Sequence, residues 1–208
     1  MRDVDIIEEF EKQIANYAGA KYGVAISSGT NAIFLSLLYL KTHNLLKEGD
    51  TISIPSRTYM SVPMTLLNLG LKIKFEDNHW SGFYPLKPTN IYDSAVRFTK
   101  DMYVYGSLYC LSFQYRKALP IGRGGMILTD DKEVYDWLRC VRFNGRNVDV
   151  PQSEDNYTIQ GWNMYMMPEQ ATRGMTLFEI FVNDNKDTGK DIASYKDYPD
   201  LSRQGIFK

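Results

Sequence analysis

A single lysine, Lys117, stands in "LSFQYRKALPIGRGG" (111–125), after an apolar run and before a glycine-rich turn. A lysine at the end of a sheet is ordinarily a solvated cation. It becomes a nucleophile toward a carbonyl carbon when packing lowers its pKa. Three other groups of residues could serve the same chemistry. Ser28-Gly29-Thr30 follows the strand-like "GVAIS" and opens a helical run, where free amides and the helix dipole suit a phosphate. The same residues also fit an ordinary N-cap. The GK[ST] of a P-loop is missing, which argues against a nucleoside triphosphate. Asp93, in "IYDSA", is either a turn former or a partner for a cationic ring nitrogen. Ser112, five residues before Lys117, could hold a second side of the same phosphate, and Gly122, Gly124 and Gly125 permit a tight return into the next strand. Arg116 and Arg123 read as solvent-facing. Asn163, in the turn "GWN" before a helix, reads as structural when taken alone.

The elements that must position these groups follow from periodicity. Helical spacing covers 3–18, with Ile6, Ile7, Phe10, Ile14 and Tyr17 on one face. Strands are predicted at 23–27, 51–55, 72–77, 90–95, 108–113 and 125–130. Helices are predicted from Asn31 to about His43, then at 61–70, 131–143 and 168–183, the last begun by a proline suited to a helix start. Residues 78–91 and 144–161 read as loops, and the chain turns polar after Asn183. The βαβαβ order implies a mostly parallel sheet with right-handed crossovers, an α/β fold of three layers. Ligands of such sheets bind outside the carboxyl ends of the strands, where all the groups above fall.

Bulk properties exclude several classes. The chain has 208 residues, 44% of them hydrophobic, enough for a real core. A net charge of -1 without a basic stripe argues against nucleic acid. Cys110 and Cys140 make neither a disulfide framework nor a zinc spacing, and His43 and His79 are isolated. The longest apolar run, 32–40, is too short to span a bilayer, and the charged N-terminus shows no signal-peptide pattern. These features predict a cytoplasmic protein with no metal and no membrane partner.

Order and spacing are more specific than any single signal. The series SGT, a Thr-aromatic pair after the next strand, Asp-x-Ala, SFxxxK with GxGG, and G-aromatic-N before a PEQA helix resembles the DegT/StrS-type sugar aminotransferases. These are pyridoxal-phosphate enzymes of the aspartate-aminotransferase architecture (fold type I). The resemblance runs from about Phe10 to about Leu201. It implies that Lys117 binds the cofactor aldehyde as a Schiff base and then moves protons, and that Asp93 pairs with the pyridine nitrogen. It further implies phosphate contacts from Ser28, Gly29, Thr30 and Ser112, ring stacking by Tyr59, and an Asn163 that reaches the phosphate of a neighbouring subunit in a homodimer. The implied reaction carries an amino group from an amino acid, typically glutamate, to a nucleotide-linked keto-sugar. Relatives that dehydrate sugars carry histidine in place of Lys117, so the lysine points to transfer. A non-catalytic cofactor-binding or interaction module of the same fold is the alternative.

The sequence also departs from this pattern. The family's D-A-A-Q is Asp93-Ser94-Ala95-Val96 here, and Val96 cannot hydrogen-bond near the cofactor's O3′. Only fifteen residues separate Asp77 from Asp93, where relatives place a helix and a strand, so a smaller sheet is expected. The expected division is a cofactor-binding large domain over 1–183 and, over 184–208, a polar tail or a remnant of the C-terminal domain. "DIASYKDYPDL" (191–201) resembles the start of the long helix that leads into that domain.

Overall fold

The structure, a computed structural model, describes residues 3–184 and 193–207. In chain order the elements are α1 (Asp3–Ala18), β1 (Tyr22–Ile26), α2 (Gly29–Thr42), β2 (Thr51–Pro55), α3 (Ser61–Asn68), β3 (Lys72–Glu76), β4 (Tyr84–Leu86), β5 (Ile91–Asp93), β6 (Leu108–Ser112), β7 (Gly125–Thr129), α4 (Lys132–Val141) and α5 (Pro168–Asp184). The helices and strands expected from periodicity over 3–183 are all present, most with trimmed ends. Strand β4 lies in a stretch read as loop, because Gly82, Pro85 and Pro88 punctuate it. Pro85 is tolerated because β4 is a three-residue strand at the end of its ladder.

Strands β1-β7-β6-β5-β4 form one sheet, and β2 and β3 form a second, parallel pair. A bridge between Ser53 and Lys87 joins the two along β2 and β4. The expectation of mostly parallel pairing is corrected here. Only β5–β6 and β2–β3 pair in parallel, whereas β1–β7, β6–β7 and β4–β5 are antiparallel. The reason is placement. β7 returns between β1 and β6 through the short glycine loop, and β4 returns against β5, so two reversed strands produce three antiparallel ladders. Followed through these pairings and the bridge, β1, β2, β3, β5 and β6 all run in one direction.

Successive residues of the strands feed two separate cores, as the pleat requires. Val24, Ile26, Leu108, Cys110 and Ile127 pack beneath α2, α3 and α4. Ala25, Tyr109, Leu111, Met126 and Leu128 face α1 and α5 on the other side. This is the expected three-layer α/β/α arrangement. Among the described residues, no helix is long and apolar enough to cross a membrane and no cluster of metal-ligating side chains occurs.

Two long-range ties hold β1 in register with its surroundings. Glu11 of α1 accepts the Ala25 amide through Oε1 at 2.6 Å and pairs through the same atom with Arg142, just beyond α4. Arg142 Nη1 also donates to the Ala25 carbonyl at 2.8 Å. Both side chains are buried. Removing one partner leaves an uncompensated charge in the core, so Glu11→Ala is expected to destabilise the fold by about 3–5 kcal/mol in urea titration. That is a large share of the stability of a typical domain.

Residues 193–207 do not continue as the expected helix. They make three short 3-10 turns, at Tyr195–Asp197, Leu201–Arg203 and Gly205–Phe207. Their backbone is fastened to the loops around β2 and β4. Leu201 N–H donates to Ser56 O at 2.8 Å, Tyr195 N–H to Trp80 O at 3.2 Å, and Arg57 Nη1 to Tyr198 O at 3.0 Å. The rest of the expected polar stretch, 185–192, lies outside the described residues.

Candidate active site

The turn between β1 and α2 is built by contact rather than by a strained backbone. Ser28 is the N-cap of α2, and its hydroxyl accepts the Asn31 amide at 3.1 Å. A Cβ on Gly29 would stand 2.8 Å from Ser112 Cβ, and one on Gly125 would stand 2.5 Å from the Ser28 carbonyl carbon. The missing side chains thus let β6, β7 and the start of α2 close on one another. Thr30 Oγ1 donates to Ser61 Oγ at 2.9 Å, which draws the first turn of α3 to the first turn of α2. Helix starts of this kind present unpaired amides and a positive dipole end.

Lys117 rides the loop between β6 and β7. Its own amide closes a turn on Gln114 O at 2.9 Å. Phe113 N–H donates to Gly124 O at 2.9 Å and Gly122 N–H to Phe113 O at 3.1 Å, which pins the loop across its base. Gly122 and Gly124 have φ of 115° and 136°, a region that other residues rarely enter, so the GxGG spacing is a backbone requirement. Lys117 is half-buried there and lines the cavity described below. Burial pulls the Lys117 ammonium below its ordinary value, against the opposing pull of the Asp93 carboxylate.

Asp93 ends β5 and is 6% exposed. Its Oδ1 accepts the Ala95 amide at 2.9 Å, and its Oδ2 accepts the Tyr84 hydroxyl at 2.7 Å. Burial raises its pKa. Tyr84, Ala95 and Lys117 oppose that shift, in this order of strength.

One cavity gathers Ser28, Gly29, Thr30, Tyr59, Asp93, Ser112 and Lys117, seven of the eight residues singled out in the sequence. Tyr59 keeps 54% of its surface exposed and lends the cavity one aromatic side. Asn163 is not brought to it. It bridges to Phe143 and is exposed at the surface. Arg123 is exposed as expected, yet it sits at the cavity rim, where its Nε donates to Ser27 O at 3.3 Å. Val96 is buried in the wall.

Thr58, named in the sequence only as the first half of the Thr-aromatic pair, lines the cavity too. Ser61, Trp80, Tyr84 and Tyr198, which the sequence did not single out, complete this part of the wall. Trp80 and Tyr84 come from the short connection between β3 and β5, and Tyr198 comes from the C-terminal turns. Their rings pack together, with Trp80 4.9 Å from Tyr84 and 5.6 Å from Tyr198 between centroids. Burial and then the Asp93 charge push the Tyr198 hydroxyl up to about 12, so it stays protonated. The one available signal for these residues was the density of aromatic side chains in two stretches of otherwise polar chain.

A helix start, a lysine loop closed by glycines and a buried strand-end aspartate meet here on one edge of a three-layer sheet. This places the chain among the large domains of pyridoxal-phosphate-dependent transferases of fold type I. More narrowly, it belongs to the DegT/DnrJ/EryC1/StrS aminotransferase family, whose pattern matches residues 3–92 and 99–197. It is 27% identical to a GDP-perosamine synthase of Escherichia coli O157:H7, over 83% of this chain and 57% of that protein. It is 23% identical to a GDP-4-keto-6-deoxy-D-mannose 3-dehydratase of Yersinia pseudotuberculosis, over 70% of this chain and 48% of that protein. The chain thus spans about half the length of the curated relatives it matches. Among solved structures, AtS13 from Actinomadura melliaura superposes with a TM-score of 0.74 at 19% identity, over 86% of this chain and 60% of that one. A GDP-4-keto-6-deoxymannose-3-dehydratase holding a trapped PLP-glutamate geminal diamine superposes with a TM-score of 0.70 at 21% identity, over 85% of this chain and 61% of that one.

Proposed function

We propose that this chain binds pyridoxal 5′-phosphate in the cavity and moves an amino group from an amino acid, glutamate by preference, to a keto-sugar carried on a nucleotide. One observation carries this reading. Lys117, half-buried, and Asp93, buried, line the same cavity as the start of α2. Those three features match three of the polar parts of that cofactor, namely an aldehyde, a basic ring nitrogen and a phosphate dianion. The close approach at Gly29 and Ser112 adds a cradle of the right chemistry for the phosphate.

When bound, the cofactor supplies a ring that withdraws electrons from the amino acid's Cα. With the cofactor bound, Lys117 would be the residue that holds its aldehyde carbon and, when freed by the substrate amine, the base placed to move the Cα proton. Asp93 would present a buried anion to the ring nitrogen and so favour its protonated form. Ser28, Gly29, Thr30 and Ser112 would hold the phosphate, and Tyr59 would offer an aromatic face to the ring. Lysine rather than histidine at 117 supports transfer over dehydration. The names of the relatives support a nucleotide-linked sugar as acceptor.

The family resemblance supports a homodimer in which Asn163 serves the neighbouring subunit's phosphate, and its exposure is compatible with that role. Two free thiols fit a reducing cytoplasm.

The test is a single half-reaction. Protein loaded with pyridoxal 5′-phosphate and mixed with glutamate is expected to release one equivalent of 2-oxoglutarate per site, read by coupled assay. Binding without release would leave the non-catalytic module, a reading that Val96, in place of a hydrogen-bonding side chain, also favours. Gly29→Ala places a methyl group against Ser112 at the cradle, and is expected to weaken cofactor binding in equilibrium dialysis by at least about tenfold, or about 1.4 kcal/mol.

A further inference from the structure

The short connection between β3 and β5 does more than replace missing structure. Antiparallel pairing of β4 with β5 sets Tyr84 directly opposite Asp93. Directly opposed side chains lie close enough to interact. The Tyr84 hydroxyl gives its only proton to Asp93 Oδ2 at 2.7 Å. The Thr58 hydroxyl is hydrogen-bonded to that same phenol oxygen, so by proton count Thr58 must be the donor. Thr58, Tyr84 and Asp93 are 2%, 4% and 6% exposed, which shuts bulk water out of the chain. A phenylalanine would fill the space of Tyr84 equally well, so core packing does not account for the hydroxyl.

We infer that Tyr84 is a positioning residue for Asp93: with Thr58 behind it, its hydroxyl holds the carboxylate as an oriented anion whose remaining acceptor capacity faces the cavity. The inference deepens the functional reading above and rests on it for its catalytic meaning. Hydrogen bonds to an ion in a dry site are among the strongest a protein makes, and aligned hydroxyls reinforce one another.

Among the described residues, four titratable groups feel the charge of Asp93. Tyr84 reaches it from β4, Cys110 from β6, Lys117 from the following loop and Tyr198 from the C-terminal turns. Burial pushes the Cys110 thiol and the Tyr198 phenol each up to about 12, and Tyr84 is also raised by burial and by Asp93. All three are neutral near pH 7. Tyr84, the Ala95 amide and Lys117 therefore share the work of keeping Asp93 ionised.

The test needs no loaded enzyme. In protein labelled with 13C at the aspartate carboxyls, with the Asp93 resonance assigned by its loss in Asp93→Asn, the Asp93 titration midpoint is expected to rise by about one pH unit in Tyr84→Phe. Thr58→Val is expected to raise it less, in the same direction, and carries the test if Tyr84→Phe does not fold. In the cofactor-loaded protein, the half-reaction with glutamate at pH 7 is expected to fall in Tyr84→Phe by less than tenfold, the ceiling that a shift of about one pH unit sets, and to recover as pH rises. An Asp93 midpoint unchanged in both variants overturns the inference. Absence of any half-reaction in the wild type, with the midpoint shifted as expected, overturns the functional reading and leaves the hold of Tyr84 on Asp93 standing.

Discussion

Lys117→Ala is expected to take up no covalent cofactor. After incubation with pyridoxal 5′-phosphate and reduction with borohydride, the wild type should carry a stable pyridoxyl group on the peptide containing Lys117, and the variant should carry none. Its half-reaction with glutamate should fall by about four orders of magnitude, the upper end for loss of a general acid–base group. The expectation follows from the loop. Its pinned base and its two positive-φ glycines fix the bend that carries Lys117, which lines the cavity, and burial lowers the ammonium's pKa from the ordinary 10.5. A lysine so placed offers its free amine at a lower pH than a surface lysine. The rate of adduct formation in the wild type should therefore reach its plateau below the pH a free lysine would need. A borohydride-stable group found on another lysine, with Lys117→Ala still active, would remove the assignment.

Asp93→Asn is expected to bind the cofactor and to lose most of the chemistry. The amide matches the carboxylate in shape, and its oxygen can still accept from Tyr84 or Ala95, so the fold should survive. It cannot keep a proton on a ring nitrogen. The half-reaction should slow about 100-fold or more, the scale for removing one preorganised electrostatic partner. A second consequence runs through Lys117. The Asp93 charge raises the pKa of Lys117, in opposition to burial. Its removal lets that pKa fall further, so the plateau of adduct formation should move to lower pH. A variant within tenfold of wild-type turnover would reduce Asp93 to a strand-end cap.

These two residues stood out in the sequence through the order and spacing of the motif series. Lys117 in a glycine-bounded turn and Asp93 at the end of an apolar strand each fit an ordinary reading when taken alone. The same holds for Ser28, Gly29 and Thr30 at a helix start. Tyr84 was not legible, because its meaning depends on cross-strand register, and "FYPLKP" contains the residues that normally break a strand. Tyr198 was hidden for another reason. Its stretch is polar, and only the fastening of 193–201 onto Ser56, Arg57 and Trp80 brings the ring to the cavity. The pairing directions were misjudged because alternating helices and strands fix the order of elements. They do not fix where a returning strand such as β7 inserts.

The manner of that fastening governs how this protein can diversify. Tyr198 is tethered through its carbonyl by Arg57, and Leu201 through its amide by Ser56. Main-chain tethers place few demands on the identity of the tethered side chain. Position 198 can therefore exchange one ring or chain for another while the sheet, the lysine loop and the helix start stay as they are. Selection for a different ligand in the cavity would find there a site it can rewrite, at the cost of the ring's packing on Trp80.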